Sequence, residues 1–361
     1  MTELPVTSFF THWRHLPLGD REIIEGLVQP MHASPSPALA RAIERWPGAH
    51  YWDNTPEGRT LVLVTEEHAP RERWWLHAAL FAIALFSMTV AGATFAGIPA
   101  DWHLPSIAAL RIGLTFSIPL AAILAAHESG HYLAARRYRV NASPPFFIPF
   151  PPQLGLLGTM GAFIRLRSPL YDRRTLFDIG VAGPLAGIVV AIPILLVGLA
   201  QSATVTLPGM PLAHQLIVVE DWRLLLGDSL LLALCRAIVG AHGTIALTPL
   251  AIAGWTGLFI TCLNLLPLAQ LDGGHITFAL FGNAQSWVAR FFWLLLIPLG
   301  HLWQGWWLWA LLALAIGRGR LGHPPVIAPE RPLDAHRRML AWLSIALLLL
   351  TFTPLAIFIP S

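Results

Sequence analysis

The chain contains no lysine: all 23 of its basic residues are arginine. Charged residues make up only 12% of its 361 positions, and there are two cysteines. Each scarcity excludes something. A net charge of +3 leaves no basic surface of the kind nucleic acid requires. Cys235 and Cys262 lie in apolar runs without CxxC spacing, so neither a disulfide framework nor a cysteine metal site is supported. So little charge, against 55% hydrophobic residues and a mean hydropathy of +0.60, excludes an ordinary soluble domain and indicates a polytopic membrane protein. The first apolar run starts near Trp75, so no cleavable signal peptide is expected.

Residues 1–72 read as a water-soluble α+β appendage, either regulatory or a tail without a partner. "LGDREIIEGLVQ" and "PALARAIERW" have helical spacing, the second opened by Ser36 and Pro37 in cap and first-turn positions. "YWDNTPEGRTLVLVT" predicts a strand, a turn at 54–58 and a second strand.

The transmembrane domain is expected over 73–361. Runs long enough to cross roughly 30 Å of hydrocarbon fall at about 75–97, 105–135, 176–200, 248–270 and 339–359. The stretch 276–317, broken at "IPLGHLWQG", is one span or two. Arginine density puts 136–174 on the cytoplasmic side, carrying the N-terminal region with it. Five arginines between 318 and 338 argue likewise for that loop, which favours two passes over 276–317. The second and fourth spans then run in the same direction, so Asp272 lies at a depth comparable with "AAHESGHYLAA", residues 125–135. An amphipathic helix on the outer surface is expected in "DWRLLLGDSLLLALCRAIVG".

That motif is HExxH. His127 and His131, four apart, project from one helical face and suit a single zinc ion. Catalytic zinc commonly takes three protein ligands, and Asp272 is the best candidate for the third. Zinc would acidify a water and polarise a peptide carbonyl, while Glu128 would take the proton and deliver it to the leaving amine. Ionisable groups within a span are rare and usually functional, although a hydrogen-bonded histidine pair that stabilises the bundle fits the bare motif as well.

"HESGHYLAARRY", "GTMGAFIRLRSP", "FDIGVAGPLAG" and "NLLPLAQLDGGH" resemble the motifs of the site-2 protease family of intramembrane zinc metalloproteases, peptidase family M50, in its EGY-like branch. The resemblance runs from about 105 to the C-terminus and includes "HPPV" at 323–326. The apolar runs give an expected all-α polytopic membrane fold of six to eight transmembrane helices, and the resemblance implies zinc ligands His127, His131 and Asp272 and catalytic base Glu128. It also implies substrates that are membrane proteins, and a bacterial inner-membrane location with the N-terminus cytoplasmic.

The apolar, Pro- and Gly-rich stretch 146–163 is too broken for a span and suggests a re-entrant hairpin beside the site. Gly158, Thr159, Met160 and Gly161 on it are candidate substrate-binding residues, because cleavage needs an extended peptide backbone. A membrane-surface loop is the plainer reading. Asn264 either binds substrate backbone or hydrogen-bonds a neighbouring helix. Pro267 loosens the helix before Asp272. Gly183 and Gly187 in "GPLAG" let the third span pack closely on the second. His275 is either a neighbour of the metal ligands or a helix-start residue. No PDZ insertion fits within 201–247, and nothing after the last span suggests a CBS pair. Two rivals stand beside the intramembrane protease: zinc hydrolysis aimed at soluble flanks or small peptides, and a non-enzymatic metal-binding transporter or scaffold. Against the latter, no internal repeat is evident.

Overall fold

The computed structural model describes residues 6–18, 21–34, 36–55, 57–65, 72–98, 106–153, 157–167, 170–205, 215–219, 222–324, 326 and 331–358. They form two compact units, Met1–Glu72 with Ala135–Ser143 and Leu166–Tyr171, and Arg73–Ala134 with Pro144–Arg165 and Asp172–Ser361. Parts of the expected hairpin (154–156), of the outer segment (206–214 and 220–221) and of "HPPV" (325) lie outside the described residues.

The first unit holds β1 (Phe10–Leu18), β2 (Arg21–Val28), α1 (Pro37–Glu44), β3 (Gly48–Thr55) and β4 (Gly58–Thr65), with sheet order β1-β2-β4-β3. Ser36 caps α1 by accepting from the Leu39 amide, and Pro37 occupies the first turn, as its sequence demands. The strand–turn–strand at 48–65 is an antiparallel pair, Gly48 opposite Thr65. The helix expected over "LGDREIIEGLVQ" is instead β2. Gly26 is a poor helix residue, and its missing side chain admits the Phe10 ring from β1, which a β-carbon would meet at 2.3 Å. Phe9, Phe10, Leu39, Leu61 and Leu63 form the core. A bridge between Ala142 and Leu166 ties residues 135–143 to 166–171, which join this unit through the Arg167–Glu72 ion pair and through Tyr171, which stacks on Tyr51 at 4.9 Å and donates to Asp53. Burial and the nearby Arg139 guanidinium hold His50 below the usual histidine range.

The second unit contains α2 (Trp74–Thr94), α3 (Ile107–Arg137, whose last turn belongs to the first unit), β5 (Phe146–Pro149), β6 (Thr159–Phe163) and α4 (Arg173–Ala200). There follow β7 (Ala203–Thr204), β8 (Gln215–Val219), β9 (Trp222–Leu226), α5 (Leu230–Val239), β10 (Ile245–Ala246) and α6 (Pro249–Leu265). The unit ends with α7 (Asp272–Phe281), α8 (Gln285–Leu302), α9 (Gly305–Ile316), α10 (Ala335–Thr351) and β11 (Ile357–Phe358). Among the described residues α2, α3 and α4 are long and apolar enough to cross a membrane by length and composition. The protein is an integral membrane protein, mostly helical.

It is not all-α. Besides the four-stranded sheet, a five-stranded sheet runs β11-β9-β8-β10-β7, and β5 pairs with β6. The amphipathic helix expected in "DWRLLLGDSLLLALCRAIVG" is half strand: "WRLLL" forms β9 opposite β8, and among the described residues Leu230–Val239 is the helical part, capped by Ser229. A short apolar run fits strand or helix equally by periodicity, and here a partner strand decided it. Within 276–317 the chain breaks twice, at Gly282–Ala284 between α7 and α8 and at Trp303–Gln304 between α8 and α9.

Candidate metal centre

Two separate stretches of chain converge on the centre. On α3, His127 and His131 stand one turn apart with their Nε2 atoms 3.1 Å from each other. Across from them Asp272 sets one carboxylate oxygen 3.1 Å from His127 Nε2 and the other 3.2 Å from His131 Nε2. One ligand atom from each of the three lies within 4.8 Å of the others. His131 Nδ1 donates to the Ile179 carbonyl of α4 at 2.7 Å, which fixes the tautomer and leaves Nε2 with a lone pair facing its neighbours.

Asp272 reaches this point because α6 stops early. Leu266 precedes Pro267 and takes an extended conformation, as residues before proline do. The chain turns through Ala269, left-handed at φ 44° and fully buried, and α7 begins at Asp272 itself. Pro267 therefore ends the helix before Asp272 and does not loosen it from within. Gly273 and Gly274 make the turn possible: a β-carbon at either would meet the Leu265 or Ala269 carbonyl at 1.9 or 2.3 Å.

The α4 face toward the histidines is cut away. A β-carbon at Gly183 would lie 2.1 Å from His131 Nε2, and one at Gly187 would lie 3.2 Å from His127 Nδ1. Helix packing thus explains "GPLAG" only in part, since these glycines clear space for the imidazoles themselves. Glu128, buried like the histidines, accepts a hydrogen bond from the Ile164 amide just after β6.

That amide ties the hairpin to the centre. β5 and β6 pack on α2, where His77 bonds the Pro145 carbonyl, Ser87 donates to the Phe150 carbonyl, and Phe81 meets Phe147 edge-on. Gly158, at φ 71°, lies against the Ser87 carbonyl, and Thr159 donates to the Ile148 carbonyl. Met160 is exposed, and Gly161, at φ 98°, borders open space. Among the described residues none of these four hydrogen-bonds the His127–His131–Asp272 group. Asn264 does, with Nδ2 3.3 Å from His127 Nε2. His275 pairs with His323, Nδ1 to Nε2 at 2.8 Å, one turn past Asp272.

Several of these partners carried no local signal. The Ile164 amide and Ile179 carbonyl are backbone groups, invisible to residue type. His323, which the "HPPV" motif marks without naming its partner, is brought in from far along the chain, whereas the roles of Gly183 and Gly187 were open to inference from their four-residue spacing against HExxH.

Arranged in this way, two imidazoles, a carboxylate and a nearby buried glutamate suit metal-assisted hydrolysis. The model of peptidase family M50 matches residues 115–297, about half of the chain. The chain is 40% identical over 161 residues to "Probable zinc metalloprotease EGY1, chloroplastic" of Oryza sativa subsp. japonica, covering 44% of this chain and 26% of that protein. It is 40% identical over 175 residues to the protein of the same name from Arabidopsis thaliana, and 31% identical over 182 residues to "Probable zinc metalloprotease EGY2, chloroplastic" of that plant. The shares are 46% and 49% of this chain, and 30% of each relative. This chain therefore spans less than a third of the length of these relatives. They are chloroplast proteins and lend no support to a bacterial membrane. No solved structure matches. With the matched region enclosing HExxH and the Asp272 turn alike, the chain belongs to peptidase family M50, the site-2 protease family, in its EGY-like branch.

Proposed function

We propose that this protein is an intramembrane zinc metalloendopeptidase that hydrolyses peptide bonds of membrane-embedded proteins. The observation that carries the reading is the convergence of His127 Nε2, His131 Nε2 and the Asp272 carboxylate beside a buried Glu128. The donor set fits zinc. Two nitrogens at roughly 2.0–2.1 Å from a tetrahedral ion stand about 3.4 Å apart, and the Nε2 atoms lie at 3.1 Å. A neutral imidazole pair with one carboxylate is the chemistry zinc prefers. Bound there, zinc supplies Lewis acidity toward a peptide carbonyl and toward water.

The chain's own groups do the rest. Glu128, held by the Ile164 amide, takes a proton from the attacking water and returns it to the leaving amine. Ile179 keeps His131 in its metal-binding tautomer. The edge of β6 that does not face β5 is suited to pairing with an unwound substrate, with Gly158–Gly161 along it and Asn264 beside His127. The finer topology belongs to the same proposal: six to eight crossings, with α8 and α9 as a broken pair and the β5–β6 hairpin re-entrant. The test is purified protein in lipid nanodiscs with a panel of single-span substrates. Zinc-dependent cleavage within or beside the span, lost in Glu128→Gln, supports it. Wild type that cleaves nothing and behaves like Glu128→Gln across the panel would return the protein to the class of metal-binding transporters or scaffolds.

A further inference from the structure

The turn that delivers Asp272 is held from outside by a segment with no part in the chemistry. Ala269, at φ 44°, sits in a left-handed backbone conformation unfavourable for a residue with a β-carbon, so something must keep it there. Its amide donates to the Leu321 carbonyl at 2.8 Å. Gln285, at the start of α8 and 1% exposed, bridges the same two stretches. Its Nε2 donates to the Pro267 carbonyl at 3.2 Å and its Oε1 accepts from the His323 amide at 2.8 Å. His323 Nδ1 can only donate to the Pro324 carbonyl, so its Nε2 is an acceptor. The proton in the 2.8 Å contact therefore comes from His275 Nδ1, one turn beyond Asp272.

Four hydrogen bonds thus clamp residues 267, 269 and 275, on both sides of Asp272, to Gln285 and to 321–323. We propose that Gln285 and His323 are positioning residues: a latch that fixes the Asp272 carboxylate against the two imidazoles and so sets the affinity of the site for its metal. The inference rests on Asp272 being a metal ligand. The physical case is one of tolerance: a ligand roughly 1 Å out of place no longer completes the set, and Asp272, at the first position of α7, is placed by the turn behind it and by the helix that His275 anchors.

The test is zinc affinity of purified, detergent-solubilised full-length protein, measured by competition with a chromogenic chelator. The variants are Gln285→Met, His323→Leu and His323→Gln, whose Oε1 reaches the place of Nε2. The latch predicts that Gln285→Met and His323→Leu bind zinc about 10–100-fold more weakly. It also predicts that His323→Gln recovers most of the loss, and that across the three variants the loss of affinity does not scale with any fall in the metal-free unfolding temperature. Wild-type affinity in both Gln285→Met and His323→Leu overturns it, as does a loss in His323→Gln equal to that in His323→Leu. Weaker binding that merely tracks a lower unfolding temperature makes these residues structural and overturns it too. Should Gln285→Met fail to fold, the His323 pair decides. Asp272→Ala serves as control: wild-type affinity there means that the ligand assignment itself has failed, and the latch with it.

Discussion

Gly183 on α4 faces His131 on α3 so closely that a β-carbon would lie 2.1 Å from Nε2. The imidazole cannot retreat, because its other nitrogen is bonded to the Ile179 carbonyl. Gly183→Ala is expected to fold and to bind zinc about 10–100-fold more weakly, as loss of ligand orientation does. Gly187→Ala, with 3.2 Å available to His127 Nδ1, is expected to lose less. Chelator competition on the two variants side by side checks the order.

In the proposed mechanism Glu128 is the base and not a ligand, so its removal separates chemistry from binding. Glu128→Gln is expected to keep wild-type zinc content and to lose about 10²–10⁴-fold in kcat, the usual worth of a general acid–base group. Metal analysis and single-turnover cleavage on one preparation measure both.

Metal removal is the complement. Exhaustive chelation is expected to abolish cleavage and to lower the unfolding temperature, because an ion bound only by the folded state stabilises it. Zinc added back restores both. His127→Ala and Asp272→Ala are expected to resemble the chelated wild type without responding to zinc, as read by metal content and thermal unfolding.

The hairpin makes its own prediction. Gly158 is left-handed at φ 71°, and a β-carbon would lie 2.5 Å from the Ser87 carbonyl. Gly158→Ala is expected to strain the hairpin by about 1–3 kcal/mol and to lower kcat/KM while zinc affinity stays at the wild-type value. That split, if found, assigns the hairpin to substrate and not to metal.

On α10, Arg337 forks onto Asp178 of α4 through two hydrogen bonds of 2.8 and 2.7 Å. It also pairs with Asp334, which caps α10. Arg337→Met breaks a half-buried charge-assisted pair and is expected to cost about 1–2 kcal/mol. A lower unfolding temperature at unchanged zinc affinity is the expected result.

The parts of this molecule that sequence alone determined are those whose physics is local. The four-residue spacing of His127 and His131 places them on one face of any helix, and the Ser36-Pro37 pair starts α1 wherever it is put. Asp272 was reachable by a longer route, through the arginine-based orientation of two parallel spans. Tertiary structure alone decided whatever depends on a distant partner. "REIIEGLV" is a strand because β1 and β4 flank it, and "WRLLL" because β8 does. Gly183 matters because His131 faces it, and Ala269 holds an unfavourable backbone conformation because Leu321 answers its amide. The Ile164 amide on Glu128 belongs to the same class. Periodicity encodes which face of an element is apolar, but not which element will cover it. A hydrogen-bonded partner on another stretch of chain can outweigh a local preference worth only tenths of a kcal/mol per residue.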